Sequence, residues 1–212
     1  MATPRTPRQP RAKATVDAII EAGFISLGKH GLTGTTTSHI AEIAGISVGS
    51  LYEYFANKEA VHDAMRERFI NEMIARLKPE AARIARMDVT EAIRTILEVI
   101  HDFLMEQEQR NLRYARAALL GQAEQDMAPL IRFLQELTLQ YLLHHPQYAV
   151  TSRLATMTFI FIHGGMYAVL RHLSDPAPEI SFEELVEGLG LMVFHYLDGE
   201  QRRRSEAQGT TG

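Results

Sequence analysis

The sequence predicts an all-α protein of about nine helices, with a three-helix head at its N-terminal end and a larger helical body after it. Three observations predict that class. Apolar residues recur at spacings of three and four from residue 13 onward, without any run of strand-like alternation. Glycines and prolines fall between these periodic stretches, and Ser, Thr, Asp or Asn stands at the expected helix starts. With 212 residues, 46% of them hydrophobic, the chain is long enough to bury a substantial core.

Residues 1–12, MATPRTPRQPRA, hold prolines and arginines but no core residue, and are expected to form a disordered basic arm. From Lys13 to His30, Val16, Ile19, Ile20, Phe24 and Leu27 share one face of a first helix, which Gly31 closes. The run Thr35, Thr36, Thr37 supplies a cap for a second helix whose apolar face is Ile40, Ala41, Ile43 and Ala44. Gly45 suits a left-handed turn, and Ser47 is positioned to cap a third helix that turns Leu51 and Phe55 inward. Val48, Gly49, Ser50, Tyr52 and Tyr54 are left facing outward or along its flanks. Asn57 caps a fourth helix running through Val61, Met65, Phe69, Met73 and Leu77 as far as Pro79.

The body continues in helical spacing. Asp88 with Glu91 reads as a capping box for a helix carrying Ile93, Ile96, Leu97, Ile100, Phe103 and Leu104. Residues 111–120 form a shorter helix, and Asp126 caps another that ends at Pro146. Residues 151–173 make a long uncharged helix, broken by Pro176 and Pro178. Ser181 with Glu184 then opens a last helix through Leu185, Leu189, Met192, Val193 and Tyr196. The tail from Gly199 is polar and expected to be disordered. The domain reading is therefore an arm at 1–12, a head at 13–58, a body at 59–199 and a tail at 200–212.

Charge is unevenly distributed. Residues 1–58 carry six Lys or Arg against four acids, while the whole chain is at −4, so a basic end sits on an acidic body. That distribution points to a local polyanion-binding end. There is no cysteine, which excludes disulfides and thiolate metal sites. The N-terminus lacks the apolar stretch of a secretory signal, so a cytoplasmic location is expected. No cofactor is implied, and the histidines show no metal-ligand spacing.

Two short helices meeting at a glycine, the second presenting small, hydroxyl and phenol groups, have the grammar of a helix-turn-helix. Lys58 supports an anionic partner, because a cation at a helix N-terminus is unfavourable unless an anion docks beside it. The same stretch contains a competing motif: Gly45-Ile46-Ser47-Val48-Gly49 matches the nucleophile elbow of serine hydrolases, with His163 and His195 downstream. An elbow needs a strand before its serine, whereas Ile40–Ala44 is spaced as a helix, so Ser47 reads as a helix cap and not as a nucleophile. A helical interaction scaffold is the other alternative.

Residues 154–170 are apolar or small all round, so both faces of that helix need cover. Phe159, Ile162, Gly164 and Gly165, continued by Leu185, Leu189, Met192, Val193 and Tyr196 on the last helix, are expected to form a homodimer interface of four-helix-bundle type. Met73, Phe103, Tyr114, His163, Met166 and Tyr167 are the candidates for lining an apolar ligand cavity.

The stretch GLTGTTTSHIAEIAGISVGSLYEYFANKEAV resembles the DNA-binding head of TetR-type transcriptional regulators, over roughly residues 14–65. The resemblance implies phosphate contacts from Thr36 and Thr37, base-edge contacts from Val48, Gly49 and Ser50 beside the cap Ser47, backbone contacts from Tyr52 and Tyr54, and a phosphate contact from Lys58. It further implies a palindromic double-stranded DNA operator, a homodimer and no membrane. A small apolar or amphipathic effector in the body would release a repressor from its operator. Ser38 and Val48 stand where that family often has basic residues, which shifts weight to contact with thymine methyls.

Overall fold

The structure, a computed structural model, describes residues 10–119, 127–148 and 153–209. Among these, every regular element is helical: α1 (Pro10–Gly34), α2 (Thr37–Ala44), α3 (Val48–Tyr54), α4 (Lys58–Leu77), a 3-10 turn (Lys78–Glu80) leading into α5 (Ala81–Ile84), α6 (Val89–Leu119), α7 (Ala128–His144), α8 (Leu154–Leu173) and α9 (Phe182–Gly209). The all-α class is the one the sequence predicts. Of the arm expected at 1–12, residues 10–12 form the start of α1, and the rest, like the cap expected at Asp126, lies outside the described residues.

Two compact units are present. The first runs to Glu72 and takes in the stretch of α6 from Leu104 onward; the second holds Met73–Phe103 together with α7, α8 and α9. The composition boundary at Lys58 thus falls inside the first unit, because α4 and the later part of α6 pack with α1.

The first unit is built on Ile19, Phe24 and Leu27 of α1, Ile40 of α2, Leu51 of α3, and Val61, Met65 and Phe69 of α4, all buried. Tyr114 of α6 closes this core edge-on to Phe24 at 5.2 Å and tilted against Phe69 at 4.9 Å. Helices α1 and α4 approach closely at Gly23, where a Cβ would stand 2.6 Å from the Met65 sulfur. Beside that contact lies a buried charge cluster. The Arg110 guanidinium donates to Glu21 at 2.6 Å and Glu72 at 2.9 Å, donates to the Asn111 side-chain oxygen, and lies over the Phe24 ring at 4.6 Å. Arg68 pairs with Asp17 in the same unit.

Helix α6 joins what the sequence reads as two helices, one carrying Leu104 and one from Asn111, and the chain leaves helical geometry between them. Glu106 leaves helical geometry, and Gln107, Glu108 and Gln109 follow with φ of 48°, 54° and 63°. No glycine stands there, so each residue adopts the left-handed region against a cost of roughly 1 kcal/mol or more.

The core of the second unit gathers Ile84, Val89, Ala92, Leu137 and Tyr141, with Val193, Phe194 and Leu197 of α9 packed against it. Helix α9 starts at the Ser181–Glu184 box: the Glu184 carboxylate accepts from the Ser181 amide at 2.7 Å, and the Ser181 hydroxyl accepts from the Glu184 amide at 3.2 Å. It continues well past Gly199, where a polar tail is expected from sequence. The pairs Asp198–Arg202 and Glu200–Arg203, at 3.0 and 2.5 Å, lie at helical spacing and support that extension.

Among the described residues two glycines, Gly31 and Gly45, hold positive φ, and the second makes the turn between α2 and α3. Gly45 ends α2 with φ 69° and ψ 30°, its N–H turned back to the carbonyls of Ala41 and Glu42, and a Cβ there would meet nothing within 4 Å. The expected cost of Gly45→Ala is therefore strain alone, about 1–2 kcal/mol, less a few tenths regained from a stiffer unfolded chain. The urea midpoint should fall accordingly with an unchanged m-value; an unchanged midpoint would contradict it.

Candidate nucleic-acid interface and apolar cavity

Local cap chemistry sets the geometry of α2 and α3. The Thr36 hydroxyl accepts the His39 amide at 3.2 Å and so starts α2. The Ser47 hydroxyl accepts the Ser50 amide at 2.9 Å and so starts α3, and the Ser47 and Ser50 hydroxyls pair at 2.9 Å. Ser47 is thus committed to capping, and the segment before it is a helix followed by a turn, not the strand of a nucleophile elbow. Asn57 caps α4 by accepting the Ala60 amide at 2.8 Å, which leaves Lys58 half-exposed at the first position of that helix.

Buried Ile40, Ala41 and Leu51 lock the two helices together, and Phe55 closes the base. Their opposite sides carry the sequence-predicted contact residues. Thr36, Ser47, Val48 and Gly49 are exposed, Thr37, Ser50 and Tyr54 are half-buried, and Tyr52 is 51% exposed. The Tyr52 phenol meets the Thr37 hydroxyl at 3.4 Å, so a group from α3 and one from the start of α2 converge on one point. Neither α2 nor α3 has an acid in its first turn. Hydroxyls, free helix-start amides and the Lys58 ammonium together suit a polyanion, which they would hold by charge-assisted hydrogen bonds. His62, one turn into α4, has its pKa pushed below the ordinary value, first by burial and then by the Lys58 charge, so it adds no cation near neutrality.

The second unit holds a cavity of about 190 Å³, open on one side, between α6, α7, α8 and α9. Of the six residues expected to line a ligand site, it gathers Met166. Tyr114 belongs to the first unit, packed on Phe24 and Phe69, where burial pushes its phenol pKa well up. Met73 and Phe103 are buried in core packing. His163 tilts against Phe159 at 4.3 Å, and Tyr167 is 58% exposed, so both follow the outer side of α8. The walls come instead from residues such as Ile93, Ile96, Leu134, Tyr141, Phe161 and Val193. In sequence these have the same spacing as ordinary core residues, and no signal separates the two.

The expected interface residues divide as well. Ile162, Gly165, Leu189, Met192, Val193 and Tyr196 border the cavity, Leu185 is half-buried, and Phe159 and Gly164 lie exposed on the outer face of α8. Only Val169 and Leu170 of α8 are buried. The outer face joins Phe159 at 61% exposure, Ile160 and Tyr167, and α9 adds exposed Leu191 and Met192. By length and composition α8 could also cross a membrane.

The profile described as "Bacterial regulatory proteins, tetR family" matches residues 19–65. That span covers the later part of α1, then α2, α3 and the start of α4. The chain is 33% identical over 97 residues to the HTH-type transcriptional regulator RutR of Escherichia coli, covering 45% of this chain and 46% of that one. It is 37% identical over 60 residues to the HTH-type transcriptional repressor KstR2 of Mycobacterium tuberculosis, covering 28% and 30%. The matched region thus spans less than half the length of these curated relatives. Among solved structures, SmeT, the repressor of the Stenotrophomonas maltophilia multidrug efflux pump SmeDEF, superposes with a TM-score of 0.62 at 18% identity, covering 86% of this chain and 87% of that one. The fatty acid degradation regulator FadR of Bacillus halodurans superposes with a TM-score of 0.57 at 20% identity, covering 88% and 96%. At such identities the superpositions establish the fold, while the sequence matches place the helix-turn-helix.

Proposed function

We propose, from the premise that the chain carries a tetR-family regulatory domain, that it is a dimeric DNA-binding transcriptional repressor released from its operator by a small apolar molecule. The observation that carries the reading is the convergence of Tyr52 and Thr37 on the exposed side of α2 and α3, with a first-turn lysine on the helix that follows. Phosphate oxygens meet the hydroxyls and the ammonium and fix the head on the duplex. Val48, Gly49 and Ser50 then reach base edges from the start of α3, the usual docking of a recognition helix in the major groove. Val48 reads a thymine methyl by apolar contact.

A second copy covers the outer faces of α8 and α9. Support comes from the large apolar side chains exposed there, on two helices that pack against each other. An isologous pairing of two chains makes the operator palindromic, with half-sites one helical turn or a multiple of it apart. The cavity receives the effector, and effector and operator favour different conformations of the same dimer, so each weakens the other's binding by one common factor.

Selection from random double-stranded DNA with the purified chain is expected to enrich a palindrome. Enrichment of single half-sites at no fixed spacing would exclude the dimeric reading, and no enrichment at all would exclude the operator.

A further inference from the structure

We infer that the cavity of the second unit takes an uncharged, mostly hydrocarbon molecule bearing a hydrogen-bonding oxygen, which the phenols of Tyr141 and Tyr196 hold. This deepens the effector reading above and rests on it. Among the described residues, the lining contains no Lys, Arg, His, Asp or Glu. Its walls are helical, so their backbone amides and carbonyls are already used along the helices and only side chains can bond a guest. Two threonines also line the cavity, Thr138 and Thr158, and the Thr138 hydroxyl is engaged, donating to the Leu134 carbonyl at 2.9 Å. The hydroxyls of Tyr141 and Tyr196 are buried and bond no group among the described residues. A hydroxyl removed from water without a partner is destabilising, and two such hydroxyls on residues that line one cavity give a ligand oxygen a place to bond.

Both rings are held in place. Tyr141 stacks on His145 at 4.1 Å, and Tyr196 lies edge-on to Phe161 at 5.7 Å. Their oxygens are therefore positioned before a ligand arrives. Burial pushes the Tyr141 phenol above its ordinary pKa, which keeps it a neutral donor.

The surroundings disfavour an anion. After burial, the groups acting on the Tyr141 phenol are Tyr148 and then Asp88, both of which oppose a further negative charge. Around Tyr196 the influence of Glu200 exceeds that of either arginine, Arg153 or Arg203, and Arg203 is already paired with Glu200 at 2.5 Å. No cationic side chain lines the cavity among the described residues, so a carboxylate there would lose water without a direct ion pair, whereas an alcohol, ketone or ester oxygen loses much less.

The test uses the full chain free of DNA, titrated calorimetrically at neutral pH with 1-octanol, octanoate and octane. Octanol is expected to bind best, octane roughly fivefold more weakly for want of one hydrogen bond, and octanoate more than tenfold more weakly. Tyr141→Phe and Tyr196→Phe, combined, should bring octanol down to the level of octane while leaving octane unchanged. Octanoate binding as tightly as octanol overturns the assignment, and so does an octanol-to-octane ratio that survives the double substitution. DNA release is read separately, by anisotropy on the selected palindrome. Octanol that binds as expected but leaves DNA affinity unchanged supports this assignment and refutes the regulatory reading. Release of DNA by octanoate alone supports the regulatory reading and overturns this assignment.

Discussion

Replacing Glu21 and Glu72 together by leucine is expected to lower the unfolding free energy by about 3 kcal/mol, provided Arg110 is left in place. The Arg110 side chain is 7% exposed, and its two carboxylate partners are 41% exposed each. The penalty is therefore asymmetric. A buried guanidinium stripped of both carboxylates keeps the Asn111 oxygen and the face of Phe24, neither of which carries a compensating charge. Partial access of water through the glutamate positions holds the cost to the low end of the range for broken buried pairs. Arg110→Met alone should cost less, because the two stranded carboxylates can regain water. Adding Arg110→Met to the double leucine variant should recover most of the loss, since an apolar trio of similar volume often matches a buried ionic one. A denaturant series followed by far-UV circular dichroism closes this cycle, with a coupling energy of about 2 kcal/mol expected. Strict additivity would mean that the cluster is a set of independent surface contacts, contrary to its geometry.

The same cluster shows where sequence reading reaches its limit. Caps were legible because their chemistry spans three residues: Thr36 to His39, Ser47 to Ser50, Asn57 to Ala60 and Ser181 to Glu184 all form the bonds their spacing suggests. Gly45 was legible for a similar reason, since a helix end followed at once by another helix start needs a left-handed residue. Arg110 meets Glu21 across 89 positions and Glu72 across 38, and no local pattern encodes such a meeting. Tyr114 illustrates the converse error of position. Its apolar spacing fitted a cavity wall, but its partners Phe24 and Phe69 belong to the first unit. The cavity itself was invisible because Ile93 and Ile96 repeat along α6 whether they face a neighbour or a void. The end of α9 was missed because polar composition was read as disorder, whereas opposite charges three and four apart can sustain a helix.

On the proposed reading, Lys58→Ala should weaken operator binding roughly thirtyfold at moderate salt, from about 1 kcal/mol for each of two phosphate contacts in a dimer. The loss should be nearly uniform across DNA sequences, because a phosphate contact carries no base information. It should also lower the slope of log affinity against log salt by about 2, one for each copy. Tyr52→Phe removes only the phenol oxygen that meets Thr37, so a similar loss is expected with an almost unchanged salt slope. Val48→Ala should behave differently from both, since trimming an apolar contact to a thymine methyl changes the preference among operator variants more than the general affinity. Stability provides the control: Tyr52 and Val48 are exposed and Lys58 is half-exposed, so none of the three changes should shift the unfolding midpoint appreciably. Anisotropy titrations of the selected palindrome and of two mismatched variants, each at several salt concentrations, separate the three behaviours. If Lys58→Ala left the slope unaltered and Val48→Ala weakened every duplex equally, then α3 would not lie in the groove as assigned. The convergence of Tyr52 with Thr37 would in that case be packing between two helices and not a phosphate seat.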